Sequence, residues 1–233
     1  MSEGLWQKSL RLHSKKVAQV KQRWRRILPS HWHKKGNRVA VVDIDPQGSL
    51  TQWHKIREEK LGEGYTGLSF SALSGWRVGS EVSRLRKQCD YIVIDSPPHT
   101  ETEARTAIRA ADLILVPVQP SPTDLWATQA TLDLAKAERL PVRVVLNRVN
   151  NNSKLAAAIV SQLPPEMAET MLGNRVLFAA ALMEGRTATE VEPTSPAAQE
   201  VKALVKEILA LTKDEEEEEA APAVVRKKEL VEA

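Results

Sequence analysis

At 233 residues the chain fits one α/β domain of ordinary size, or at most two small ones. With 42% hydrophobic and 27% charged residues it can bury a substantial core, which excludes global disorder. One cysteine, Cys89, excludes a disulfide framework and any all-cysteine zinc or iron–sulfur centre within one chain. No apolar run reaches the ~18 residues of a membrane span and no signal peptide opens the chain, so a cytoplasmic protein is expected.

Taken in chain order, the first segment is the odd one. Residues 1–35 hold ten Lys or Arg against one acid, Glu3, while the rest of the chain carries 23 basic and 29 acidic residues. Three of the six tryptophans and three of the five histidines lie in this block too. It offers no evident apolar run, and it is expected to be a poorly ordered basic segment.

From residue 36 the pattern is regular. Short β-branched runs at 38–44, 91–94, 112–118 and 142–146 are nearly continuous in apolar residues, as in parallel strands covered on both faces. A weaker strand is expected at 67–71 and a short one near 175–178. Helical patterns fall at 49–60, 77–88, 101–110, 123–138, 153–163 and 195–212, the last with Ala197, Val201, Leu204, Ile208 and Leu211 on one face. This alternation predicts a doubly wound, mostly parallel sheet of about six to eight strands over 36–212. The end, 213–233, opens on the acidic run Asp214–Glu219 and reads as a disordered tail.

Ligands of such sheets sit beyond the carboxyl ends of the strands. The residues there are Asp43, Asp45, Pro46, Gln47 and Gly48; then Asp95, Ser96, Pro97 and Pro98; then Gln119, Pro120 and Ser121; then Asn147, Arg148 and Asn150. Such acids and amides can simply cap the following helices. Two strands ending in acids on one sheet edge are also the arrangement that holds a hydrated cation against phosphates. The chemistry thus suggests a nucleotide–magnesium site.

The runs VVDIDPQGS (41–49), DYIVIDSPP (90–98), LILVPVQPS (113–121) and VVLNRVN (144–150), in this order, resemble the ParA/MinD family of deviant-Walker partitioning ATPases. The likeness spans about Gly36 to Leu211. It implies a P-loop-type fold, ATP and Mg²⁺ as ligands, an ATP-dependent homodimer, and the partitioning of DNA or positioning of other cargo. By the same likeness Asp45 is the catalytic residue that orients the attacking water. Asp95 is the acid near Mg²⁺, and Asp43 a supporting acid beside it. Asn147 reads the adenine edge, and Gln119, Pro120 and Ser121 form a loop at the nucleotide and dimer seam. Non-specific DNA and a ParB-like stimulating protein are the partners implied, with nucleoid association in the cytoplasm. Membrane docking, used by the MinD branch, is not expected with so acidic a tail.

One part of the family pattern is missing. A first strand and a KGGxGKT loop should precede Asp43 by about twenty residues, yet residues 1–35 contain one glycine, Gly4, and no GK[ST]. Reading plausible codons for His13–Arg23 one base out of register gives QQKGGAGKTT. Continuing to Lys35 gives VAAHLAVALAQK, which runs into GNRVAVVD, and Trp6–Leu12 permits MAKVITI. Strand, loop and helix in order point to a frameshifted amino terminus. The first strand and phosphate loop are therefore expected to be missing, and ATP binding to be impaired. The alternative is a non-catalytic protein that binds nucleic acid or a partner through its basic arm.

The remaining singular residues have plainer readings. Cys89 and Trp53 are expected to pack, and His99 to lie at the surface. Arg143, Arg148 and Lys154 form either a DNA-binding patch or a solvated face.

Overall fold

A computed structural model describes residues 16–20, 36–64, 66–97, 101–150 and 166–220. Six strands form one sheet: β1 (Lys16–Val20), β2 (Val39–Asp43), β3 (Ser69–Ala72), β4 (Tyr91–Asp95), β5 (Leu113–Val118) and β6 (Val142–Leu146). The helices are α1 (Ser49–Leu61), α2 (Val78–Leu85), α3 (Glu101–Arg109), α4 (Pro122–Ala137), α5 (Val176–Met183), α6 (Ala188–Val191) and α7 (Pro196–Ala220). A 3₁₀ turn, Gly75–Arg77, leads into α2.

Every strand pairing is parallel, and the order across the sheet is β3-β2-β4-β1-β5-β6. After β6 the chain returns to its open side, where Met167 and Gly173 bridge in parallel to Val144 and Val149. The sheet is buried on both faces, which explains the continuous apolar runs of β2, β4, β5 and β6. Val39, Val93, Leu113, Leu115 and Val145 meet α7 through Val201, Leu204, Val205 and Ile208. On the other side Ala40, Val42, Ile92 and Ile94 meet Val78, Val82 and Leu85 of α2 and Ala107 of α3. Ile114, Val116 and Val144 cover Ile108 and Ala135. Among the described residues no helix is long and apolar enough to cross a membrane.

Three expectations are corrected. A strand does fill the first-strand slot: Lys16–Val20 lies between β4 and β5 and pairs with both. The run Val17, Ala18 and Val20 supplies enough β-forming residues for a short central strand. That strand is not the one hidden in the shifted frame, over Trp6–Leu12. It lies over the codons of the shifted loop itself. The strand expected near 175–178 is a helix, α5, because VLFAAALM has straight-chain and alanine helix formers and no alternation. The acidic run Asp214–Glu219 continues α7 to Ala220 rather than opening a structureless tail. The expected helix 153–163, His99 and Lys154, and residues 1–15, 21–35 and 221–233, lie outside the described residues.

Candidate functional site

The β2–α1 connection is built by its own sequence. Asp45-Pro46-Gln47-Gly48 closes a turn in which the Gly48 N–H donates to the Asp45 carbonyl at 2.9 Å. Proline suits the second place of such a turn, and the Asp45 carboxylate at the first place accepts the Gln47 N–H at 3.0 Å. Gly48 then takes φ +59, a left-handed value, as the N-cap of α1.

Having no side chain, Gly48 cannot cap the helix. Asp43 does so from the end of β2. Its Oδ2 accepts the backbone N–H of Thr51 at 2.8 Å and the Thr51 hydroxyl at 2.7 Å, and its Oδ1 accepts the Asp45 N–H at 3.1 Å. One buried carboxylate thus fixes both the turn and the helix start.

Asp95 ends β4 in the same register: Asp43 pairs with Asp95, and Asp95 in turn with Val20 of β1. In-register neighbours of a sheet project to the same face, so the two acids stand side by side at the carboxyl edge. Asp95 is fully buried, and its carbonyl accepts the Ile44 N–H at 3.0 Å. The strand order reverses at β1, so this is the crevice in which doubly wound sheets take ligands.

The donor set fits a hydrated magnesium ion better than a caged metal. Among the described residues no group of three or more His, Cys, Asp or Glu could hold an ion alone. Mg²⁺ keeps several waters and takes one or two carboxylates beside phosphates. With Asp43 committed to α1, Asp95 is the carboxylate at this edge suited to such an ion.

The next edge residues behave as caps. Ser121 is the N-cap of α4, accepting the Asp124 N–H at 3.4 Å, and the Gln119 N–H donates to Asp124 Oδ2 at 3.1 Å. Pro120 joins the two and stands half-buried.

Beyond β6, Arg148 adopts φ +57, and its N–H donates to Asn147 Oδ1 at 2.9 Å. With that oxygen engaged, Asn147 offers a ligand its amide NH₂. It borders a cavity of about 390 Å³ with Arg148, Gly173, Arg175 and Phe178. Arg175 is steadied by Glu200 at 2.9 Å. The fold thus brings Asp43, Asp45 and Asp95 together and sets Asn147 at a separate cavity past β6. A second cavity of about 580 Å³, beside Asn37, His54 and Phe70, lies at the amino ends of β2 and β3, away from these acids.

A buried network escapes a sequence reading. Arg57 on α1, an apparent surface residue of a charged helix, is buried and grips Glu190 of α6 at 2.8 and 3.1 Å. It also donates to the carbonyls of Thr66 at 2.8 Å and Gly185 at 2.9 Å. Burial pushes the Glu190 carboxyl up, but Arg57 and Thr187 outweigh it and hold it below the usual range. The one legible signal is Thr187-Ala188-Thr189-Glu190, a capping-box pattern that the structure realises. His54 stacks on Phe70 at 4.3 Å, and burial pushes its imidazole pKa down. Cys89 and Trp53 pack in the core, as expected.

Against known proteins, the profile of the MipZ family, ATPase MipZ, matches residues 30–138. The maintenance of carboxysome distribution protein A of Halothiobacillus neapolitanus is 25% identical over 186 residues, covering 74% of this chain and 83% of that protein. The chromosome-partitioning ATPase Soj of Thermus thermophilus is 28% identical over 210 residues, covering 75% and 84%. The chain is thus similar to ATPases of the ParA/MinD family over most of its length. Its fold is that of the family's solved structures. The septum site-determining protein MinD of Pyrococcus horikoshii, solved with Mg-ADP, superposes with a TM-score of 0.65 at 16% identity, covering 83% of this chain and 96% of that one.

Proposed function

We propose that the chain is a ParA-like protein for partitioning DNA or positioning another cargo, whose grip on ATP is impaired. What carries this reading is the pair of acids in one register at the carboxyl edge, Asp43 and Asp95, beside the DPQG turn. In the family's terms, bound Mg²⁺ neutralises charge on the β- and γ-phosphates. Asp95 would hold that ion through a water, Asp45 would orient the attacking water, and Asn147 would face the base. Gln119, Pro120 and Ser121 would border the nucleotide and the dimer seam.

The impairment is read from the sequence, and the pairing of β1 supports it. A phosphate cradle needs several backbone N–H groups turned toward the ligand. The stretch Lys16–Val20, where the shifted frame would encode the glycines, instead pairs with β4 along its length and with β5 over Ala18–Val20. Those amides serve the ladder. Restoring the shifted frame upstream of Gly36 should therefore recover Mg²⁺-dependent ATP binding and an ATP-dependent dimer. In the restored protein Asp45→Ala should trap that dimer, measured by light scattering. If the restored chain neither binds ATP nor dimerises, the reading is wrong.

A second reading rests on the +9 charge of residues 1–35. A segment so basic binds nucleic acid without sequence preference. It predicts salt-sensitive DNA binding by the chain as it stands, lost when the Lys and Arg residues of 1–35 are replaced by Gln.

A further inference from the structure

We propose that α5 is a self-association surface, on which a second copy of this chain docks through its own α5, antiparallel and without nucleotide. The helix, VLFAAALM, is apolar throughout. A helix apolar on all sides needs cover on all sides. Its inner side has it: Ala181 is buried, Phe178 packs on the α7 core, and Leu182 packs with Leu50 and Trp53. Its outer side has none among the described residues. Val176, Ala179, Ala180 and Met183 recur at helical spacing and are exposed, Val176 by 85% and Met183 by 78%.

The pattern of this stripe names its occupant. A two-fold axis between Ala179 and Ala180 carries Val176 onto Met183 and Ala179 onto Ala180. It also carries Arg175, just before the helix, onto Glu184, just after it. A two-fold interface uses the same patch on both copies and must be self-complementary in this way. The alanines let the two helices approach closely at the crossing, and the larger Val and Met fill the flanks. The charges select direction. Antiparallel pairing sets Arg175 against Glu184 at both ends, whereas parallel pairing would set like against like. Glu184 is available for this, with its side chain 57% exposed and Arg186 3.8 Å away. Arg175, which holds Glu200 through Nε and Nη2, keeps 35% of its side chain exposed. One helix stripe is small beside the ~1,200 Å² of a stable interface, so the self-association is weak and reversible.

The test uses the full chain, free of nucleotide. Sedimentation should show a monomer–dimer equilibrium across the micromolar range. Met183→Lys should weaken it tenfold or more, and Glu184→Arg should weaken it as well, each with an unchanged thermal melt. Geometry is read by crosslinking. A Val176→Cys chain mixed with a Met183→Cys chain should form a disulfide-linked dimer under mild oxidation. Either alone should crosslink far less, because like positions then lie about 10 Å apart along the helices. Cys89 is buried and does not compete. A monomer at every concentration, a dimer indifferent to both substitutions, or like-with-like crosslinks as strong as mixed ones would overturn the proposal. Val176, Ala179 and Arg175 also line the cavity beside Asn147, so a nucleotide held there should compete with self-association. Failure of the nucleotide-free equilibrium alone leaves the ATP reading standing.

Discussion

Asp43 accepts three hydrogen bonds, and each one holds the DPQG turn or the start of α1. Asp43→Ala should cost about 1–2 kcal/mol in urea unfolding, the value of a lost N-cap. Gly185 is under a different constraint. It has φ +64, and a Cβ there would lie 2.5 Å from the backbone of Arg57. Gly185→Ala should therefore cost more than about 2 kcal/mol and separate α1 from the α5–α6 turn. Glu81 gives a pH signature. Hydrogen bonds from Arg84 at 2.7 and 3.0 Å, and from Ser71 at 2.6 Å, hold its carboxyl down to about 2. A carboxylate depressed on folding stabilises above its unfolded pKa, about 4.5, and loses that stabilisation as pH falls toward 2. Glu81→Gln should thus be about 1 kcal/mol less stable at pH 6, given the exposure of Arg84, and level with the parent near pH 2. The acids of DPQG and IDSPP were legible because their chemistry is local to strand ends. Arg57 was not. A buried arginine on a polar helix shows itself only when Glu190, 133 residues away in sequence, arrives beside it.

Secondary structure followed the apolar period wherever that period was long. The strand expected at 142–146 and the helix expected at 123–138 fall at Val142–Leu146 and Pro122–Ala137. Short segments were decided by tertiary context. Lys16–Val20 is a strand because two strands, β4 and β5, leave a central slot between them. Near 175–178 four apolar residues look alike for strand and helix, and the continuation to Met183 decides it. The central place of β1 yields a prediction. Deleting residues 1–15 should leave cooperative unfolding intact, whereas deleting 1–20 should open an unpaired gap and cause aggregation. Size-exclusion profiles and denaturant slopes of the two truncations would distinguish these outcomes.

At the scale of the molecule, the parallel sheet carries two acids in register at the edge where its strand order reverses. The order of strands and helices was readable from sequence because doubly wound connections follow strict rules. What the first thirty-five residues do was not, since their spacing in this frame carries no family pattern. A scaffold of this fold that lacks a GK[ST] loop in its reading frame should hold ATP poorly. Calorimetric titration of the unmodified chain with Mg-ATP tests this most directly. No saturation is expected below about 1 mM, weaker than about −4 kcal/mol of binding. A micromolar dissociation constant, abolished by Asp95→Ala, would contradict it.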